Sequence, residues 1–211
     1  MKIEVDAKNV SLVNGIFTID IDENVIKDTR KPLSSFKNGT IIKGNTDRKY
    51  IAFRQLDNAS VYILRKDLLG KTARFDPDNN NFATSEIMKM LNSSEYLDEL
   101  AEDFGLENIV PYEVDLLSLD GLDDYGKCEV RVGLLTLDDY RWGRKNKIPH
   151  MVMGNPYWLS TPDSTLSGIS SSCVRCVYSD GVVGCSVCLW SGRGVRPFFI
   201  LKSDIFVSEV I

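Results

Sequence analysis

The sequence lacks the features that mark several large classes of protein. No apolar run approaches the roughly 20 residues that a membrane-spanning helix needs. Acidic residues outnumber basic ones by 30 to 25, so the net charge of −5 argues against nucleic acid and anionic membranes as partners, while the missing apolar run argues against membrane insertion. The five cysteines are an odd number, which does not suit a disulfide framework.

A second absence is local. Residues 166–193 contain no Lys, Glu, Gln, Met or Asn, although 26% of the whole chain is charged. Their only charged residues are Arg175, Asp180 and Arg193, among seven Ser, five Val, four Cys and four Gly. A segment so different from its host indicates a variable surface, supported by framework residues on either side.

The remaining composition predicts one large folded domain with a small appendage. Residues 1–37 are predicted to be a leading β unit and linker, with a strand over 16–21 after a turn at Asn14-Gly15, and residues 38–211 the main domain. We hypothesise that the leading unit mediates attachment or homo-oligomerisation. The alternating N-terminus favours a strand over a signal peptide, so we expect a cytoplasmic or virion-associated location.

The main domain is predicted to be α+β, with a mostly antiparallel sheet and two or three helices. Residues 40–43, 50–56 and 60–65 are short β-rich runs separated by the turn pairs Gly44-Asn45 and Asp57-Asn58. This arrangement is typical of an antiparallel meander. Helix-capping residues follow them along the chain: Thr84 or Ser85, Asn92 to Glu95, Gly105 as a stop, and Thr136 before a third helix.

Two Cys-x-x-Cys pairs in residues 166–193 have the spacing of zinc ligands: Cys173 and Cys176, Cys185 and Cys188. Between them, Asp180-Gly181 predicts a two-residue hairpin turn, which places Cys176 opposite Cys185 and Cys173 opposite Cys188. Side chains alternate between the faces of a strand, so the four thiols would divide between two faces and could not surround one ion. We therefore expect no metal and no cofactor, and a zinc- or thiol-containing structural protein remains the alternative.

No group of residues predicts catalysis, so we expect a protein that is not an enzyme. His150 stands beside Pro149 without a nucleophile motif, which favours a loop histidine. Arg175 and Arg196 lie in apolar strands and are expected to bond internally to carbonyls or acids. The spacing of the acidic residues does not match a calcium loop, and we interpret them as caps and turns: Asp115, Asp120, Asp123, Asp124, Asp138 and Asp139.

Five framework motifs occur in a recognisable order along the chain. They are Leu116 to Gly121, Leu134 to Arg141, Tyr157-Trp158-Leu159-Ser160-Thr161-Pro162, Val177-Tyr178-Ser179-Asp180-Gly181 and Gly194-Val195-Arg196-Pro197. Together they resemble a family of bacterial and phage domains with a C-type-lectin-like fold, over roughly residues 40–205. Tyr157 stands where the family often has a first Trp. The calcium signatures of sugar-binding lectins are missing, so a calcium-dependent sugar site is not implied.

The resemblance extends to the variable proteins of diversity-generating retroelements. In those systems, mutation of AAY codons gives residues other than Lys, Glu, Gln, Met and Trp, and residues 166–193 fit this rule except at Trp190. The resemblance implies a receptor-recognition protein whose diversified surface binds a protein or cell-surface ligand. The implied ligand-binding residues are Ile169, Ser171, Cys173, Cys176, Tyr178, Val183, Cys185, Val187, Leu189, Ser191 and Arg193.

Overall fold

The computed structural model of the protein describes residues 30–56, 59–70 and 72–210, and the main chain of residues 9–13 and 16–20. The chain divides into two compact units, Met1–Arg30 and Lys31–Ile211. In the first unit, β1 (Asn9–Val13) pairs antiparallel with β2 (Ile16–Asp20). The strand expected over 16–21 is thus confirmed for its described part, whereas the expected Asn14-Gly15 turn lies outside the described residues.

The division between the units falls earlier than the sequence predicts. Leu33 and Phe36, assigned above to the leading unit, are buried in the core of the second unit. The main-chain N–H of Leu33 donates to the Ile205 carbonyl at 2.8 Å. The expected boundary at 37/38 is therefore corrected to 30/31, because these apolar side chains need the larger core.

The second unit contains the remaining described strands and three helices. The helices are α1 (Glu86–Leu91), α2 (Ser94–Phe104) and α3 (Leu137–Lys145). The strands are β3 (Lys31–Pro32), β4 (Ile41–Lys43), β5 (Lys49–Leu56), β6 (Ser60–Arg65), β7 (Ile109–Val110), β8 (Tyr112–Asp115), β9 (Lys127–Val130), β10 (Val132–Gly133), β11 (Tyr157–Pro162), β12 (Cys173–Val177), β13 (Val183–Val187), β14 (Phe198–Lys202) and β15 (Phe206–Glu209).

Eight strands form a curled antiparallel sheet in the order β10-β14-β6-β5-β4-β15-β3, with β7 also pairing with β14. The predicted meander of β4, β5 and β6 is confirmed, and with it the α+β class. The Asp57-Asn58 turn between β5 and β6 lies outside the described residues.

The central strands are covered on both faces, which explains their continuous apolar sequence. Along β5, Tyr50 and Ala52 belong to one buried cluster with residues of α1 and α2, whereas Ile51 and Phe53 belong to another with residues of α3. Successive side chains of a strand point to opposite faces, so a strand buried on both faces reads as an uninterrupted apolar run.

The helix ends follow local rules. Ser85 caps α1 through Met88 N–H, Ser93 caps α2 through Tyr96 N–H, and Gly105 ends α2 with φ of 78°. Thr136 and Asp139 form a capping box on α3, because each side chain bonds the other residue's main-chain N–H. These predicted caps are confirmed.

Among the helices that the structure describes, none combines the length and the apolar character that a membrane crossing requires.

Candidate functional site

Residues 166–193 contain β12 and β13, two strands of a small three-stranded sheet, and the loops beside them. The sheet has the order β11-β12-β13, and every residue of β11 is buried. β11 therefore provides an inner support, while β13 lies at the edge of this sheet. The segment between β11 and β12 and the turn after β13 meet at one end, where Cys188 N–H donates to the Ser172 carbonyl at 2.8 Å.

The hairpin turn differs from the prediction by one residue. Tyr178 N–H donates to the Val182 carbonyl at 2.8 Å, and Gly181 N–H donates to the Tyr178 carbonyl at 2.9 Å. Gly181 has φ of 86°, the left-handed conformation that completes a three-residue turn spanning Ser179, Asp180 and Gly181. The expected two-residue turn is wrong, because the glycine closes the turn as its third residue.

The shifted register changes which residues oppose each other. Cys176 lies opposite Gly184 rather than Cys185, and Cys173 lies opposite Val187 rather than Cys188. Cys176 and Cys188 face the core, whereas Cys173 and Cys185 lie on the other face with part of their surface exposed. The expected pairing is corrected, although the four thiols still divide between two faces.

All five cysteines are free thiols. Burial raises the pKa values of Cys176 and Cys188, and burial followed by the nearby Asp163 raises that of Cys185, so these three groups favour the protonated form. Within the described part of the chain, no three His, Cys, Asp or Glu residues come together as metal ligands.

The eleven expected ligand-binding residues fall into three classes of exposure. Ile169, Cys185, Leu189 and Ser191 are exposed, with Ile169 at 94%. Ser171, Cys173, Tyr178, Val183, Val187 and Arg193 are partly exposed. Cys176 is fully buried in the core, so its place among the surface residues is corrected. Side chains alternate between the two faces of β12, and that of Cys176 points into the buried cluster that also contains Val174 and Trp158.

The segment carries an unusual share of exposed apolar side chains. Of the eleven large hydrophobic residues exposed in the described part of the chain, five belong to residues 166–193. Leu166, Val182 and Trp190 join Ile169 and Leu189, with exposed fractions of 79%, 58% and 60% for the three additions. These three are not among the eleven residues predicted to bind the ligand, because a single sequence does not show which apolar side chains the fold leaves uncovered.

The two arginines of the segment are already engaged within the protein. Arg175 donates to Asp163 at 2.6 Å and to the Val183 carbonyl at 3.0 Å. The Arg193 guanidinium lies 5.3 Å from the centre of the Tyr178 ring, which packs against Gly184. The outward surface therefore consists mainly of hydroxyl and apolar groups, with Asp180 at the hairpin turn.

Residues 73–80 hold this segment through hydrogen bonds to its main chain. Ala73 N–H donates to the Arg193 carbonyl at 2.9 Å, and Phe75 N–H donates to the Cys188 carbonyl at 2.9 Å. Asn80 is fully buried and bonds to Ser164, Ser171 and Cys173. The Asp, Pro and Asn residues of this segment predict turns. They do not indicate which distant residues the segment bonds to.

The loop between β8 and β9 holds the same segment from another side. Asp124 accepts hydrogen bonds from Thr165 Oγ1 at 2.6 Å and from Ser167 N–H at 2.9 Å, and these bonds lower its pKa. Asp120 accepts from Ser118 Oγ, which lowers its pKa as well. The interpretation of these acids as turn and cap residues is confirmed for Asp115, Asp120 and Asp139, while Asp124 reaches across to a distant loop.

The framework motif around Arg196 is buried. Its guanidinium donates to the carbonyls of Arg65, Lys66 and His150 at 2.7–3.1 Å and lies over the Tyr157 ring. The expectation that Arg175 and Arg196 bond internally is confirmed. His150 is an exposed loop residue with φ of 58°, and partial desolvation of its ring, followed by the nearby Lys66 and Arg196 charges, lowers its pKa.

A cleft of about 400 Å³ opens beside the start of α3. Its walls include the side chains of Tyr62, Tyr112 and Thr161, with Leu117 and Leu119 exposed around it. Two of the acidic side chains in its wall already have basic partners: Asp138 pairs with Arg141 and Glu113 with Lys127. The cleft is large enough for a small molecule, but its charges are mostly balanced internally.

Comparison of the chain with protein-family models, with curated proteins and with solved structures finds no match.

Proposed function

We propose that this protein binds a ligand through a diversified surface on a C-type-lectin-like scaffold, as the variable protein of a diversity-generating retroelement does. The observation that carries the proposal is the coincidence of two independent properties in residues 166–193. Their composition departs from that of the chain, and they hold five of the eleven exposed large hydrophobic residues in the described part.

Exposed apolar groups favour a protein partner on the cell surface or elsewhere. Large apolar side chains exposed within one segment are typical of an interaction site, because their burial by a partner releases water. Trp190 and Leu189 are of the types that anchor protein interfaces, where aromatic side chains contribute a large share of the binding energy.

The scaffold part of the proposal is supported by the placement of the motifs. Trp158 is fully buried, and its Nε1–H donates to the Ala73 carbonyl at 2.8 Å. Arg196 joins three separate segments by hydrogen bonds. Trp158 and Arg196, which belong to two of the motifs that carry the resemblance, are thus buried framework residues.

The alternative of a zinc- or thiol-containing structural protein has less support. Cys173 and Cys185 lie on one face of the hairpin, whereas Cys176 and Cys188 lie in the core on the other. One tetrahedral ion needs four ligands around a single point, and four thiols divided in this way do not provide it.

Sequencing the gene from one population to high depth tests the proposal. We expect codon changes to concentrate at exposed positions such as Ile169, Leu189 and Ser191, while the buried Cys176 and the motif Tyr157–Pro162 stay constant. Changes spread evenly along residues 31–210 would contradict a diversified surface. Four constant cysteines among changing neighbours would instead favour the zinc or thiol alternative, and metal analysis of the purified protein would then decide.

A further inference from the structure

The surface segment is held largely through its main chain. Ala73, Phe75 and Asp76 donate their N–H groups to the carbonyls of Arg193 and Cys188. The Tyr140 hydroxyl donates to the Gly181 carbonyl at 3.0 Å. Since such bonds end on carbonyl oxygens that every residue type possesses, they survive a change of side chain.

Asn80 occupies the central position in this arrangement. Its Nδ2 donates to the carbonyls of Ser164 at 2.8 Å and Cys173 at 2.7 Å, which are the two ends of one surface loop. Its main-chain N–H donates to the Ser171 carbonyl at 2.8 Å, and its Oδ1 accepts from the Tyr125 hydroxyl at 2.7 Å. A single buried amide therefore closes the neck of the loop and is itself oriented by a fourth group.

Only an amide supplies this combination at this size. Asparagine offers two donors and an acceptor on one short side chain, whereas aspartate offers acceptors alone. With Asp at position 80, a carboxylate would face two carbonyl oxygens in a fully buried place. Closing a surface loop at its neck also removes conformational freedom that each new loop sequence would otherwise have to overcome.

We propose that Asn80 is the positioning residue that makes residues 164–193 tolerant of side-chain exchange, a role that rests on the proposed diversified surface. The side chains of this segment that bond outside it are few: Arg175 bonds to Asp163, Ser164 to Asp120, and Thr165 and Ser167 to Asp124. Arg175 is held within the hairpin, and the exposed side chains Ile169, Leu189 and Trp190 are free to change without altering the loop closure.

Hydrogen–deuterium exchange of the full chain with Asn80→Asp tests the closure. We expect amide exchange in residues 164–173 to accelerate by about tenfold or more, the effect of losing buried hydrogen bonds, with exchange in β5 and β14 unchanged. Asn92→Asp is the matched control, since Asn92 Nδ2 also bonds two carbonyls, those of Met88 and Val132. That variant should affect the Val132 region and leave residues 164–173 unchanged.

A milder variant covers the case in which Asn80→Asp fails to fold. Tyr125→Phe removes the hydroxyl that orients the Asn80 amide and leaves its two carbonyl bonds in place. We expect faster exchange confined to the same loop. Unchanged exchange in residues 164–173 for both variants would overturn the proposal.

A displayed library separates positioning from ordinary stability. Ile169, Ser171, Cys185, Leu189 and Ser191 are randomised in chains with Asn80 or with Asn80→Asp, and protease resistance is scored against each parent. We expect most members to match the parent with Asn80 and far fewer to match it with Asn80→Asp. Equal fractions would mean a general contribution to stability and would overturn the proposal.

The two proposals fail in different experiments. Population sequencing without variation in residues 166–193 would refute the diversified surface, while the library would still measure tolerance. A library that loses resistance even with Asn80 would refute the positioning role, while natural variation would still stand.

Discussion

One buried carboxylate links the helix α2 to the strand β5. Asp103 on α2 is 3% exposed and accepts hydrogen bonds from Thr46 N–H, Arg48 Nε and the Tyr50 hydroxyl. Burial by itself would raise the pKa of this carboxyl, but the bonds from Thr46, Arg48 and Tyr50 outweigh it, so its pKa is lowered. The folded protein therefore prefers Asp103 in its charged form.

Replacing this carboxylate breaks a buried ion pair. We expect Asp103→Asn to lower the free energy of unfolding by about 3–5 kcal/mol at neutral pH, because Arg48 and Tyr50 lose their acceptor. Urea-induced unfolding measures the change. Asp98→Asn on the exposed side of the same helix is the control, and we expect it to change the free energy by less than about 0.5 kcal/mol. Equal effects of the two substitutions would show that the Asp103 bonds add nothing.

The same group predicts a pH dependence. Because the pKa of Asp103 is lower in the folded than in the unfolded chain, its contribution is complete above the unfolded value of about 3.9 and is lost as pH falls through the folded value. We expect wild-type stability to fall more steeply below about pH 4 than that of Asp103→Asn. Parallel stability curves between pH 5 and pH 2 would contradict this assignment.

At the scale of elements, the register of one hairpin decides which side chains face outward. The three-residue turn places Cys173 opposite Val187 in a pair flanked by the hydrogen-bonded pairs on either side. Non-hydrogen-bonded pairs bring their Cα atoms to about 4.5 Å, within the range for a disulfide bond. The register can therefore be tested by covalent linkage.

We expect Val187→Cys to form a disulfide with Cys173 on mild oxidation. Peptide mass spectrometry identifies the linked pair. Ser186→Cys is the matched control, because Ser186 faces the core opposite Val174 and should not link to Cys173. A Cys176–Cys185 link in the oxidised wild-type protein would instead support the two-residue turn that the sequence predicts.

At the scale of the whole molecule, the chain consists of two compact units. The larger one, Lys31–Ile211, includes Leu33 and Phe36 within its core and pairs β3 with β15. The segment 31–37 is thus part of this unit and not a linker. The contribution of this segment to the free energy of unfolding can be measured directly.

The reference for this measurement is a chain of residues 31–211, which keeps Leu33 and Phe36. A chain of residues 38–211 should be less stable by about 3–6 kcal/mol, since it loses the burial of Leu33 and Phe36. Unfolding followed by tryptophan fluorescence gives both values, and all three tryptophans, Trp142, Trp158 and Trp190, remain in each chain. Equal stability of the two shortened chains would favour the boundary at 37/38.

Much of the framework could be predicted from local sequence. The caps at Ser85, Ser93 and Thr136 and the stop at Gly105 were identifiable because their hydrogen bonds span only a few residues. The strands β4, β5 and β6 were identifiable because their apolar runs are bounded by turn residues. The unusual composition of residues 166–193 also required nothing but the sequence.

Tertiary structure decided how that segment is presented. Whether Gly181 is the second or the third residue of its turn moves every partner across the hairpin by one position, so that Cys176 lies opposite Gly184 and not Cys185. The exposure of Leu166 and Trp190 depends on what the rest of the chain leaves uncovered. Asn80 meets Ser164 and Cys173 over more than 80 residues of intervening chain. Such contacts arise when the chain folds back on itself, and no local pattern of residue types records them.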